Sequence, residues 1–317
     1  MDRFGQDQSL NTDLAELHLK YTFENKVEFY ITNVCNLTCE NCNRYNNHKF
    51  AGWQRWSDYA DVYQQWSKYV DLKNIVIMGG EPLLNPTITD WITGLTDIFK
   101  CGIQVLTNGT RLNNVPGLYE ALAQTCSRGG PHVGNLQISL HNTNQFDELK
   151  QNIKSFLSTI KEEYGHAIGI SGRDNQQYYS VRDVNDVLVN VHLANNFHTA
   201  SIQPTAAGRF TLHNSDPVLA HKKCGFAQYK CYHFIKGKLY KCGPVALMPE
   251  FDEQFNLDIS DEDRQLLNSY KPLKIKQWPD RALKWLAQLD DPIAQCKFCP
   301  QTFTSKIIYP VVKGSNA

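Results

Sequence analysis

Neither sign of charge is in excess, because Lys plus Arg and Asp plus Glu number 32 each. A balanced chain has no built-in attraction for a phosphate backbone or an anionic bilayer, so nucleic acid is disfavoured as a partner except through a local basic patch. Long apolar runs are also missing. No stretch approaches the ~18 apolar residues of a membrane-spanning helix, so no membrane association is expected. The opening "MDRFGQDQSLNTDLAE" lacks both the basic and the apolar segment of a secretory leader. Low-complexity tracts and repeats of solenoid period are absent as well, which excludes disordered and fibrous classes. A cytoplasmic globular protein is expected, and 317 residues exceed one core of about 250 to 300 residues. One large domain with a smaller companion follows.

What the chain does have is ten cysteines. In a reducing compartment they are not expected to form disulfides, and their clustering at 35 to 42, 224 to 242 and 296 to 299 points to metal. Cys101 and Cys126 lie apart, in apolar or helical contexts that suit small buried hydrophobes.

Periodicity sets the organisation. After a polar, helical N-terminal extension, "KVEFYITNV" (26 to 34) alternates as a strand, and the first cysteines follow its end directly. Residues 56 to 70 read as a helix capped by Ser57, 74 to 78 as a strand, 87 to 99 as a helix and 103 to 107 as a strand. Helix 117 to 126, strand 136 to 140 and helix 146 to 160 continue the alternation. Strand 167 to 171, the helical "VNDVLVNVHLANN" and strand 200 to 204 complete six βα units. Such units give parallel strands curling one way, an α/β fold read as a partial (β/α)6 TIM-like barrel. The cysteine loop, "GGEP" (79 to 82), "TNG" (107 to 109) and "SLHN" (139 to 142) then fall at the C-terminal strand ends, where such barrels keep their active sites. Beyond Pro204 the pieces shorten to a hairpin, "CYHFIKGKLYKCG", two helices and "CKFC" (296 to 299). The division expected is extension 1 to 25, barrel 26 to 205 and small second domain 206 to 317.

"CNLTCENC" spaces Cys35, Cys39 and Cys42 as C-x3-C-x2-C, one thiolate short of the four that close a zinc or four-iron site. With "MGGEP" at the next strand end, this set resembles the signature of the radical S-adenosylmethionine superfamily. The resemblance implies a [4Fe-4S] cluster on Cys35, Cys39 and Cys42 whose remaining iron chelates the amino and carboxylate groups of S-adenosylmethionine. It also implies cosubstrate contacts at Gly79, Gly80, Glu81 and Pro82, with Glu81 on the methionyl ammonium, at Asn108 and Ser139, and at Asn41, which stands where relatives carry an aromatic residue. The carboxylate-binding arginine of some relatives has no counterpart between Gly129 and Gly172; Arg173 and Arg182 are the substitutes. The competing readings from the residues are a structural zinc site completed by His48 or Cys224, Glu81 as a surface carboxylate before a proline turn, and Asn108 and Ser139 as turn or cap residues. Trp53 and Trp56 are either cover for the site or rim packing.

The later cysteines resemble a twitch (SPASM-like) subdomain. There, Cys224, Cys242, Cys296 and Cys299 hold an auxiliary [4Fe-4S] cluster, and a zinc ribbon is the competing reading. Cys231 is left over, as packing, replacement ligand or catalytic hydrogen-atom donor. The activity implied is reductive cleavage of S-adenosylmethionine by an electron from a flavodoxin- or ferredoxin-like donor. The resulting 5′-deoxyadenosyl radical abstracts a hydrogen atom from a small-molecule or peptide substrate, for a net oxidation. The 25 or so residues before the first strand are too few for the recognition domain of many peptide-modifying relatives, which shifts the expectation towards a small molecule. The alternatives are an epimerase with Cys231 as hydrogen donor and a non-catalytic iron–sulfur or zinc protein.

Overall fold

The computed structural model describes residues 20–126, 135–165, 176–194, 196–198, 201–302 and 305–307. The first half alternates strand and helix: β1 (Tyr21–Tyr30), α1 (Ala60–Trp66), β2 (Val70–Met78), α2 (Ile88–Phe99), β3 (Ile103–Thr107), α3 (Leu118–Cys126), β4 (Leu136–Leu140) and α4 (Phe146–Phe156). Strands follow: β5 (Ile160–Tyr164), β6 (Gln176–Asp183), β7 (Leu188–Leu193), β8 (Asn196–His198), β9 (Ile202–Pro204) and β10 (Phe210–Leu212). The remainder is α5 (Pro217–Lys223), α6 (Gly225–Gln228), β11 (Tyr232–Ile235), β12 (Lys238–Tyr240), α7 (Gly243–Phe255), α8 (Asp261–Asn268), α9 (Trp278–Ala287) and β13 (Ser305–Ile307).

Nine strands form the central sheet in the order β12-β11-β1-β2-β3-β4-β7-β6-β5. The run from β11 to β7 is parallel throughout, and β12, β6 and β5 add antiparallel edges. The protein is thus a mixed α/β fold on a largely parallel sheet. Alternate residues give the sheet two unlike faces. Val27, Phe29, Ile75, Ile77, Val105 and Ile138 join one apolar core with Trp66 and Trp91 of the covering helices. The opposite face carries Lys26, Glu28, Gln104, Gln137, Ser139, Asn190, His192 and His233, a polar surface inside the curve of the sheet.

Strands β3 and β4 coincide with the expected segments, and β1 begins five residues earlier than expected. The helix expected at 56 to 70 is a single turn at Trp56–Asp58 followed by α1, whose N-cap position is Tyr59 and not Ser57. "VNDVLVNVHLANN" contains β7 instead of a helix. Val187, Val189 and Val191 are buried while Leu188, Asn190 and His192 stand on the other face, so period-two β-branched alternation overrides the i, i+3, i+4 matches. Residues 202 to 204 of the last expected strand pair antiparallel with β10, outside the main sheet. The sixth parallel position is taken by β11, beside β1. The N-terminal extension up to residue 19, the strand expected at 167 to 171 and Arg173 lie outside the described residues.

The β11–β12 hairpin turns at Lys236 (φ 50°) and Gly237 (φ 71°), the two left-handed residues of a tight reversal. Gly237 is locked from both sides: Trp66 Nε1 donates to its carbonyl at 3.0 Å, and its N–H donates to the Tyr63 hydroxyl at 3.2 Å. A second core gathers Tyr30, Tyr45, Phe50, Val245, Met248, Phe251, Leu257 and Phe298 around α7.

Trp66 both fills the main core and holds the hairpin. Trp66→Ala is expected to lower the unfolding free energy by about 3–5 kcal/mol. Trp66→Phe, which keeps most of the burial and loses the bond to Gly237, should cost only about 1–2 kcal/mol; urea denaturation of the two variants gives the comparison.

Candidate active site

Past Tyr30 the chain continues against the second strand end by backbone bonds. Ile31 N–H donates to Met78 O at 2.9 Å, Gly80 N–H to Thr32 O at 2.7 Å and Glu81 N–H to Val34 O at 2.8 Å. A Cβ on Gly79 would stand 2.5 Å from Thr32 O, and one on Gly80 would stand 2.3 Å from Val34 O. The two glycines are therefore required by the backbone leading into Cys35. Cys35, Cys39 and Cys42 are half-buried on the loop that follows. The Leu37 N–H donates to Cys35 Sγ at 3.5 Å, Cys42 N–H to Cys39 O at 3.1 Å, and Asn41 takes a left-handed backbone at φ 62°.

Glu81 is fully buried and binds this rim together. One carboxylate oxygen accepts from the Thr107 hydroxyl at 2.6 Å and from Leu83 N–H at 3.0 Å, the other from Asn108 N–H at 2.8 Å. Asn108 Nδ2 donates to Asn36 Oδ1 at 2.9 Å, and Asn36 Nδ2 to the Thr110 hydroxyl at 2.8 Å, which ties the cysteine loop to "TNG". Pro82 is buried in the turn behind Glu81, and Ser139, half-exposed on the polar face, is in register with His192. Asn36 was not singled out in the sequence; its signal was its place inside the cysteine loop.

A second buried group lies under the loop. Arg44, two residues past Cys42, donates from Nη2 to Glu28 Oε2 at 2.6 Å; its Nη1 has no partner. His233 Nδ1 stands 3.2 Å from the same oxygen, and the Cys231 thiol donates to Glu28 Oε1 at 3.2 Å. Arg44 also lies 4.7 Å over the Phe226 ring. Burial alone would push the Glu28 carboxyl up, but the Arg44 guanidinium and the His233 bond outweigh it and hold the group well below the usual carboxylate range. Burial, with the Glu28 charge beside it, keeps Cys231 a neutral thiol. Glu28 was legible only as an acid at a buried alternation of "KVEFY".

The four later cysteines converge. Burial and the charges of Cys299, Cys224 and Cys296 raise Cys242, and burial raises Cys299 to about 12, with Cys224 and Cys296 adding to it. The Ser201 hydroxyl donates to Cys299 Sγ at 3.4 Å. Tetrahedral zinc at ~2.3 Å per sulfur needs thiolates roughly 3.8 Å apart. Among the described residues only Glu28, Cys231 and His233 bring three possible ligand atoms within 4.8 Å; four thiols in one buried neighbourhood are a donor set that suits either zinc or a four-iron cluster. Cys224 belongs to the quartet, and the His48 ring packs on Phe210 and Phe251 at 4.6 and 5.8 Å. Cys35, Cys39 and Cys42 share one half-buried loop, a donor set that suits a cluster held by three thiolates.

Other expectations resolve simply. Trp56 packs on Trp91, with ring centroids 5.1 Å apart, and Trp53 is exposed beneath Arg55. Arg182 pairs with Glu162 and Asp186 near the N-terminal ends of the parallel strands, away from the cysteine loop.

Residues 29–162 match the Radical SAM superfamily. The match covers less than half of the 317-residue chain. Among solved structures, it is similar to Streptococcus suis SuiB bound to S-adenosylmethionine, at 17% identity and a TM-score of 0.35, over 48% of this chain and 36% of that one. It is likewise similar to SuiB bound to the precursor peptide SuiA, at 17% identity and TM-score 0.35, over 48% and 35% of the two chains. The chain thus spans little more than a third of those proteins. No curated protein matches it. Among the described residues, no helix is long and apolar enough to cross a membrane.

Burial raises the Glu81 carboxyl to about 7, against the opposing pull of its three donors. A carboxyl raised on folding contributes fully below its unfolded value near 4.5 and loses that contribution as pH rises through the folded one. Stability attributable to Glu81 should thus fall by roughly 3 kcal/mol between about pH 4.5 and 7. Glu81→Gln should flatten that limb in urea melts taken across the range.

Proposed function

We propose that this protein is a radical S-adenosylmethionine enzyme: a partial (β/α)6 barrel over residues 26–205 behind an extension of 1–25, with a twitch-type domain over 206–317. The observation that carries the reading is the three-thiol loop bonded backbone to backbone onto Gly80 and Glu81. When bound, a four-iron cluster on Cys35, Cys39 and Cys42 supplies the electron that splits the sulfonium of S-adenosylmethionine into methionine and a 5′-deoxyadenosyl radical.

This chain's residues hold and orient the reactants. Glu81, ionised above about pH 7, attracts the methionyl ammonium; the Gly79, Gly80 and Pro82 turn fixes its position. Asn108 and Ser139 offer polar contacts to the nucleoside and methionyl parts, and Asn41 offers its backbone to the adenine. The polar face would present the substrate to the radical chemistry that the bound cluster and S-adenosylmethionine would supply. Cys224, Cys242, Cys296 and Cys299 would hold an auxiliary [4Fe-4S] cluster, which would supply an acceptor for the second electron of a net oxidation. A flavodoxin- or ferredoxin-like donor supplies the first.

One observation favours a second reading. Cys231 stands on the polar face with a neutral thiol, and a neutral thiol can return a hydrogen atom to a substrate radical, giving epimerisation.

Reconstituted anaerobically, the protein should contain about eight irons per chain, against about four if the quartet holds zinc. With dithionite and S-adenosylmethionine it should release 5′-deoxyadenosine, and a variant with Cys35, Cys39 and Cys42 all changed to Ala should release none. Absence of the product from the wild type sinks the reading. Once a substrate is known, Cys231→Ala should abolish deuterium uptake from solvent only if the thiol is the hydrogen donor.

A further inference from the structure

Three of the four later thiols, Cys224, Cys242 and Cys296, line one cavity of about 30 Å³ together with His221, and Phe226 and Ile293 are among its apolar walls. A space of that size has room for a water or two and is far below the roughly 300 Å³ of a pocket for an organic ligand. Its occupant is therefore inorganic.

His221 is held at this cavity from both ends of its helix. At the start of α5, Ser215 N–H donates to Lys297 O at 2.9 Å and Asp216 N–H to Gln301 Oε1 at 3.1 Å, which ties the helix to the segment that carries Cys296 and Cys299. The Asp216 carboxylate caps it by accepting from Val218 N–H and Leu219 N–H, each at 2.9 Å. At its end, Cys224 N–H donates to His221 O at 3.0 Å. The ring nitrogen Nε2 is buried and has no partner. The lysines of the cavity wall are already matched: Lys241 Nζ donates to Gln288 O at 2.8 Å, and Lys230 pairs with Asp290 at 2.8 Å.

A buried imidazole nitrogen without a partner is costly, and something in the cavity must meet it. Thiolates that hold a metal carry no proton and only accept, so a ring nitrogen beside them is a donor. Four thiolates already complete either zinc or a four-iron cluster, so the ring is not needed as a ligand. The fourth thiol, Cys299, lies outside the cavity and has its own donor, the Ser201 hydroxyl at 3.4 Å.

We propose that His221 donates a hydrogen bond from Nε2 to a sulfur of the metal group held by Cys224, Cys242, Cys296 and Cys299, and so sets how readily that group is reduced. The redox role rests on the auxiliary-cluster reading. The bond itself does not, because the sulfurs of a zinc tetrathiolate accept equally. A donor proton at sulfur favours the more negative, reduced state, and hydrogen bonds to the sulfurs are among the terms that set a cluster's potential.

The test uses the full chain reconstituted anaerobically with Cys35, Cys39 and Cys42 changed to Ala, so that bound metal reports the quartet alone. About four irons per chain are expected, and a redox titration followed by EPR reads the midpoint. In His221→Ala the ratio of reduced to oxidised cluster, taken at the potential where the parent is half reduced, should fall by about threefold or more. His221→Gln, whose amide replaces the Nε2 donor, should keep that ratio within about twofold. Equal ratios in the parent and His221→Ala overturn the proposal, as does a fall that His221→Gln fails to restore. Loss of iron from His221→Ala, with thermal unfolding of the metal-free chain unchanged, makes the ring a ligand and overturns the donor role. Should the quartet come isolated with about one zinc and take up no iron, the auxiliary-cluster reading falls and the hydrogen bond is read from alkylation by iodoacetamide. His221→Ala should then speed loss of the zinc-bound thiolates by about threefold or more, and an unchanged rate overturns the proposal. A quartet that takes up neither metal overturns both.

Discussion

Everything at the rim depends on a pair of backbone hydrogen bonds, Gly80 N–H to Thr32 O at 2.7 Å and Glu81 N–H to Val34 O at 2.8 Å. They extend the parallel pairing of β1 and β2 past the strand ends, so the loop that bears three thiols leaves the sheet in a fixed direction. A side chain at either glycine would separate the two segments. Glu81 then carries the constraint one strand further, because its carboxylate is the common acceptor for the Thr107 hydroxyl and the Asn108 N–H. Three strand ends far apart in sequence are thus held as one platform by main-chain atoms and a single buried acid.

The second constraint is electrostatic and lies one layer below. Glu28 and Arg44 are both almost fully buried, and a buried ion pair is weak evidence for net stability because two desolvation penalties oppose its attraction. Its effect is on position. Arg44 descends from the cysteine loop, Glu28 rises from β1, and His233 and Cys231 reach across from β11, so the pair fixes the loop and the hairpin strand to one point. Phe226, two residues past Cys224, covers the guanidinium. Tyr45, next along from Arg44, packs into the second core and donates from its hydroxyl to Pro244 O at 3.2 Å, two residues past Cys242. The segment from Cys42 to Tyr45 therefore touches the surroundings of both thiol sets, and neither set can shift without straining the other.

Much of this was legible in the sequence wherever one local rule spoke alone. Apolar alternation bounded by glycine gave β3 and β4, and C-x3-C-x2-C beside "GGEP" marked the rim. Legibility failed where the deciding term was long-range. β7 reads as a helix because Val184, Val187, Leu188 and Val191 match helical spacing, and only pairing with β4 selects the period-two alternative. The hairpin at 232 to 240 was visible from Lys236-Gly237, but nothing local says that it docks beside β1, since that depends on Trp66 and Tyr63 meeting Gly237. The same holds for Glu28, Arg44 and His233: no spacing relates them, and only the fold brings their charges together.

The two faces of the sheet also explain why a polar cavity is stable in a protein of ordinary composition. Valine, isoleucine and phenylalanine on the helix side supply the burial that a domain of this size needs, so the other face need not be apolar. A polar concave face in a closed barrel would be filled by its own side chains, as small barrels are. Here the parallel run stops at six strands and passes into the antiparallel β6 and β5, and the face keeps buried polar atoms, His192 Nδ1 and His233 Nε2, without a partner among the described residues.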